Sequence, residues 1–191
     1  MKIILASGSP RRKELLDLMK LNYEVIISDV NENMSQKLSY KNLAKNLSYI
    51  KAEDVFNKTN GERLIIGADS MVVFGSKIYG KPKNEDDAYN MLKSLSNKWH
   101  KVITGLSVII EKNNEIKKYS TFEVTKVKFC KLNNDMIKKY LSFNEYNDKA
   151  GAYAIQGYFG TFVEKINGNY FNVVGLPINK LFKILHKEHL I

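Results

Sequence analysis

The chain carries one cysteine, Cys130, so it can form no internal disulfide and its fold rests on packing alone. Cys130 closes the strand-like run VTKVKFC with no adjacent histidine or arginine to activate it, which marks it as a packing residue and not a nucleophile. There are only three prolines, and no linker rich in Pro or Ser, no repeat and no low-complexity tract interrupts the chain. Residues 1–191 therefore read as a single domain. The three histidines, His100, His186 and His189, keep no ligand spacing with the cysteine, which argues against zinc. No apolar stretch approaches the roughly 20 residues needed to cross a bilayer. The few apolar residues after Met1-Lys2 are too short for a signal peptide, and no small-residue cleavage site follows. Together these absences predict a cytoplasmic protein without a membrane partner.

What the chain has in excess is positive charge, +10 overall with a sequence pI near 9.4. That balance favours anionic partners, either nucleic acid or phosphorylated small molecules. Many lysines (Lys41, Lys45, Lys138, Lys139, Lys183, Lys187) fall on predicted helix faces, where solvated lysines are ordinary, so a nucleic-acid surface is the less favoured reading.

The apolar pattern alternates between strands and helices. Strands are predicted at 2–6, 23–27, 63–68 with 71–74, 99–110 and 116–129, the last two joined by the polar turn EKNNE. Helices are predicted at 10–21, at 39–57 with Leu43, Leu47 and Ile50 on one face, from Asn84, and from Asn133 or Asn134 to about Ser142. Residues 161–166 and 169–174 read as a hairpin through Asn167-Gly168. Pro177 opens a last helix with Ile178, Leu181, Phe182 and Leu185 inward. The result is a mixed α/β fold with helices covering a sheet that has both βα alternation and antiparallel pairs.

Two helix starts contrast. The one at Asn84 is followed by Glu85, Asp86 and Asp87, as the helix dipole prefers. The one at Ser9-Pro10 is followed by Arg11 and Arg12, at the end where cations are least favoured. An anion held at that N-terminus would remove the conflict, with free N–H groups aimed at it and the arginines clamping it.

The segment GSKIYGKP, residues 75–82, matches the first seven positions of a P-loop, but Pro82 stands where a magnesium-binding Ser or Thr is required. The segment reads as turn, short strand and turn, which excludes a P-loop ATPase or kinase. Lys81, beside a glycine turn, can still reach phosphate oxygens as a point charge. Asp69 directly follows the apolar run LIIGA, where residues past strand ends line ligand crevices and an acid can hold a metal or take a proton from water. Glu32, in the loop after 23–27, is a second candidate acid, and Lys51 sits late in the second helix. No Ser–His–Asp or Cys–His arrangement suggests a covalent nucleophile.

Taken together, LASGSPRRKELL, GADSMVVFGSKIYGKP, AYNMLKSLSNKWHKVITG, DKAGAYAIQG and NVVGLP resemble, in order and nearly end to end, the motifs of the Maf (septum-formation) family of nucleoside triphosphate pyrophosphatases. The resemblance implies an elongated mixed sheet flanked by helices, with two lobes around a cleft as in ITPase-like folds, and a homodimer. It implies hydrolysis of a nucleoside triphosphate to the monophosphate and pyrophosphate with Mg2+ or Mn2+. Carried over position by position, Asp69 becomes the proton acceptor or water activator, with Glu32, Lys51, Lys81, Ser9 and Arg12 forming the phosphate and metal shell, and Asp69 and Glu32 the metal carboxylates. The family's Asp-Glu pair reads Asn31-Glu32 here. Three positions separate a branch preferring dTTP and UTP from one preferring 7-methyl-GTP. Arg11, Ser70 and Gln156 match the pyrimidine branch, with Ser70 in place of its threonine. Gln156 can read a pyrimidine edge because its amide both donates and accepts. The charge of +10 keeps one alternative open, a nucleic-acid- or partner-binding regulator of cell division whose cleft is vestigial.

Overall fold

The computed structural model describes residues 1–31 and 38–191, so Glu32 lies outside the described residues. In chain order the elements are β1 (Lys2–Leu5), α1 (Pro10–Leu18), β2 (Glu24–Val25), α2 (Tyr40–Asn57), β3 (Arg63–Phe74), β4 (Lys77–Tyr79), α3 (Glu85–Leu95), β5 (Trp99–Lys112), β6 (Glu115–Phe129), α4 (Asn134–Leu141), β7 (Val163–Asn167), α5 (Tyr170–Val174) and α6 (Ile178–Lys187). The strands form one mixed sheet in the order β2-β1-β3-β5-β6-β7, with β4 paired to β3. β1 runs parallel to both β2 and β3, whereas β3–β4 and β6–β7 are antiparallel. β5 and β6 meet through Asn113-Asn114, both left-handed (φ 52° and 62°), the two-residue turn that suits the twist of an antiparallel hairpin.

The chain divides into two compact units. One comprises Met1–Asp69, Thr104–Glu123 and Gly175–Ile191; the other comprises Ser70–Ile103 and Val124–Val174. In the first, Ile4, Ala6, Ala52, Val55, Ile65 and Ile109 form a core beneath α2. The helix lies unusually close to the sheet because two strand positions are glycine. A Cβ on Gly67 would fall 2.2 Å from the carbonyl oxygen of Ser48, and one on Gly105 would fall 1.9 Å from that of Ala44. The predicted Leu43 and Leu47 are buried, but the seam between helix and strands is made by Ala44, Ser48 and Ala52, small residues on the same face. In the second unit, α3 and α4 pack on Val72, Val102, Val127 and Phe129 with a cluster of aromatic rings.

Several predicted boundaries shift. The first helix ends at Leu18, where Met19 caps it and Lys20 turns left-handed (φ 56°). The strand at 23–27 shortens to Glu24–Val25. The predicted hairpin over 161–174 is wrong. Tyr158–Phe162 is a 3-10 turn, β7 pairs back onto β6, and the second arm is helix α5. Asn167, read as part of the hairpin turn, instead ends β7, and Asn169, read as the start of the second arm, caps this helix. The Asn169 side chain accepts from the Asn172 amide at 3.2 Å, and the buried Asn172 amide group donates to the Val102 carbonyl and to Thr125. Phe182 is also wrong. It is 49% exposed and stacks on His186 one turn along, while Leu181 and Leu185 carry the inward face. The starts at Asn84 and Asn133 hold, each side chain accepting the amide three residues on.

Candidate active site

The first unit brings two of the predicted groups together. Gly67 and Asp69 alternate along β3 and so share a face, the face on which α2 sits. With Ser48 and Ala52 resting on Gly67, Lys51 is carried over the strand and its ammonium meets the Asp69 carboxylate at 2.5 Å. Both side chains are largely buried, 14% and 12% exposed. A buried ion pair is retained at the cost of desolvating both charges, and removing either partner leaves the other uncompensated. Next to it chemically, the pair offers a carboxylate that can accept a proton and an ammonium that can donate to an oxyanion.

The turn from β1 into α1 belongs to the same unit. Ser9 occupies the N-cap position with extended backbone and Pro10 is the first helical residue, but the Ser9 side chain makes no capping bond. The first turn holds no acid. Arg12 does not splay into water. Its Nε donates to the Gly175 carbonyl at 2.9 Å and one terminal nitrogen donates to Ser7 Oγ at 2.8 Å. The guanidinium fork thus ties the helix start to the GLP segment, 163 residues away. Ser7, 8% exposed, is a residue that sequence reasoning passed over although it lies inside the quoted motif; its hydroxyl also accepts the Ser9 amide at 3.3 Å. Arg11, next to Arg12 in sequence, is half-buried.

The second unit brings together two other motifs. β3 and β4 are joined at Gly75-Ser76, with Phe74 opposite Lys77, so GSKIYGKP is a hairpin and its exit, not a strand entering a phosphate-cradling helix. At that exit Lys81 pairs with Asp148 at 2.9 Å, both side chains well exposed, and the Gly80 carbonyl accepts the Gly151 amide at 3.0 Å. Gly151 is left-handed (φ 71°) and lies against Val72, where a Cβ would come within 3.0 Å. The GKP and DKAGAY segments are therefore held as one patch, a link that only the fold reveals. Ser70 is half-buried beside Asp69 in sequence, and Gln156 is exposed in a turn closed by the Gly157 amide on the Ala154 carbonyl.

Among the described residues, no group of three or more His, Cys, Asp and Glu gathers to hold a metal. No helix among them is long and apolar enough to cross a membrane. Cys130 is half-buried and burial pushes its thiol up, away from the thiolate a nucleophile needs.

The Maf-like protein family model matches residues 2–188. A dTTP/UTP pyrophosphatase of Alkaliphilus oremlandii is 50% identical over 187 residues, covering 98% of this chain and 96% of that protein. A dTTP/UTP pyrophosphatase of a Thermoanaerobacter species is 49% identical over 188 residues, covering 98% and 97%. Among solved structures, the Staphylococcus aureus Ham1 protein aligns over 98% of this chain and all of that one, at 16% identity and a TM-score of 0.49. With a family model spanning nearly every residue and relatives sharing half of them end to end, the chain belongs to the Maf-like family.

Proposed function

We propose that the protein is a nucleoside triphosphate pyrophosphatase that hydrolyses dTTP and UTP to the monophosphate and pyrophosphate. The observation that carries this reading is the half-identity, over almost the whole length, to relatives named for that activity. The buried Lys51–Asp69 pair supports it, because it supplies the charge types the reaction needs.

Cleavage between the α and β phosphates requires a water aimed at the α phosphorus and cations to absorb charge on the departing pyrophosphate. In this reading Asp69 orients that water and takes its proton. Lys51 steadies the carboxylate and donates to a phosphate oxygen, and Lys81 adds a second cation. Ser9 and Arg12 bind phosphate near the start of α1, Arg12 being held in place by Ser7 and Gly175. Glu32 is proposed as a further acid. In this reading Asp69 and Glu32 would hold a magnesium or manganese ion arriving with the triphosphate, since Mg2+ is commonly bound by one or two carboxylates plus substrate phosphates. Such an ion neutralises phosphate charge when bound. Arg11, Ser70 and Gln156 are proposed to select the base, and residues 1–191 to act as one domain in a cytoplasmic homodimer that corresponds to the family's role in clearing nucleotides or in septum formation.

The test is a nucleoside triphosphate panel with product identification. Release of pyrophosphate and monophosphate from dTTP and UTP is expected. Asp69→Asn should lower kcat at least about a hundredfold, and Lys81→Ala likewise. Near-normal turnover by Asp69→Asn would sink the role given to it. The charge of +10 favours a second reading, a nucleic-acid-binding regulator. Salt-sensitive retardation of single-stranded or duplex DNA in the absence of any pyrophosphate release would replace the first reading with it.

A further inference from the structure

His100, the second residue of β5, is 2% exposed. Its ring meets Phe129 edge-on with centroids 4.6 Å apart and Tyr153 at 5.4 Å, and its Nε2 lies 2.9 Å from the Tyr153 hydroxyl. Tyr153 is itself 6% exposed and packs edge-on against Phe129 at 4.9 Å. Here two polar groups are placed deep in an aromatic cluster where phenylalanine would pack as well. Among the described residues His100 Nδ1 has no hydrogen-bond partner, so the imidazole gives up part of its bonding capacity to be there. Its buried polar partner among the described residues is the tyrosine hydroxyl.

The location of Tyr153 suggests what that bond does. The run from Asp148 to Ala152 contains three left-handed residues, Asp148 (φ 59°), Gly151 (φ 71°) and Ala152 (φ 61°), of which Ala152 carries a side chain that disfavours this conformation. The run is tied down before the kink by Lys81–Asp148 and at the kink by Gly80–Gly151. After the kink the chain leaves through Tyr153, and three residues later presents Gln156. A directional bond at Tyr153 fixes where the chain emerges from its strained turn, which ring packing alone does loosely.

We propose that His100 is a positioning residue for substrate selection: its hydrogen bond to Tyr153 sets the path of residues 153–157 and thereby the placement of Gln156. This rests on the pyrophosphatase reading above, in which Gln156 meets the base. Because Lys81 is held from the other side of the kink, the bond should bear on base recognition more than on turnover.

Tyr153→Phe removes only the hydroxyl. The expected result is a KM for dTTP raised about tenfold with kcat within about threefold, and a narrowed preference for pyrimidine over purine triphosphates. His100→Leu should behave alike, His100→Gln should recover part of the loss because its amide can still reach the hydroxyl, and the double variant His100→Leu/Tyr153→Phe should be no worse than either single one. Wild-type KM and selectivity in Tyr153→Phe would overturn the proposal. A lower Tm with unchanged kinetics would also overturn it, since that is what plain core packing gives. Amide hydrogen exchange reads the same claim without catalysis. Faster exchange at the Gly157 amide in Tyr153→Phe, with the Gly151 amide unchanged, is expected, and unchanged exchange at Gly157 would overturn the proposal. If the wild-type protein hydrolyses no triphosphate, the pyrophosphatase reading and the base-selection claim fall, while exchange at Gly157 still decides whether the bond sets the path of the chain.

Discussion

Gly105→Ala adds one methyl group where there is no room for it. The new Cβ would sit 1.9 Å from the Ala44 carbonyl oxygen, 2.3 Å from its carbon and 2.9 Å from the Lys45 nitrogen. All three are backbone atoms of α2, so no side-chain rotation relieves the clash. Ordinary contact begins near 3.4 Å, so helix and strand must part by about 1.5 Å. A gap of half an ångström to one ångström already forfeits a quarter to a half of the dispersion energy of each contact across it. The interface at risk includes Leu43, Ala44, Leu47, Ser48, Ala52 and Val55, all buried. Overpacking of this kind costs about 1–3 kcal/mol, and with backbone on one side the upper end is expected. The same displacement would lift Lys51 from Asp69, and kcat/KM should fall about tenfold, less than a rigid group would lose because the lysine stem has slack. Urea unfolding followed by far-UV circular dichroism measures the first effect, and pyrophosphate release from dTTP the second. Gly80→Ala serves as the stability control, since its Cβ would meet nothing within 4 Å, and it should stay within about 0.5 kcal/mol of wild type. A Gly105→Ala protein with the wild-type unfolding midpoint would refute the close approach of α2 to the sheet.

Burial pushes the His100 imidazole down to about 4 from its ordinary 6.5. The unfolded chain therefore takes up a proton between those values while the folded one does not. This contribution is fully present above pH 6.5 and is lost as the pH falls to about 4, amounting to about 3 kcal/mol. Unfolding free energies measured from pH 7 to pH 4 should fall less steeply by that amount in His100→Asn, and identical pH profiles would contradict the neutral buried ring. Arg12→Lys keeps the charge but cannot reach both the Gly175 carbonyl and Ser7 with one ammonium, so stability should drop by about 1–2 kcal/mol. Calorimetry showing an unchanged Tm would mean that the fork contributes nothing to the fold.

The features legible from the chain alone were those settled within a few residues. Asn84 and Asn133 start helices because their side chains accept an amide three positions on. Gly75-Ser76 and Asn113-Asn114 turn the chain because these residues tolerate the backbone angles involved. Five ordered motifs were enough to point to the family. The errors lie where a distant partner overrides local preference. Residues 169–174 carry a strand-like apolar pattern, yet Tyr170–Val174 is helical, with Asn172 buried against Val102 and Thr125. Phe182 satisfies the helical spacing of an inward residue, yet only Leu181 and Leu185 are fully covered.

The sequence by itself determined the kinds of most elements, the positions of the candidate charges and the misplaced arginines at the start of α1. Tertiary structure decided what those charges touch. Arg12 finds the Gly175 carbonyl across 163 positions, and Lys51 finds Asp69 because two glycines let a helix backbone rest on the sheet. Helix caps and turns depend on neighbours along the chain, whereas a buried ion pair depends on which surfaces can approach, and that is a property of the packed whole.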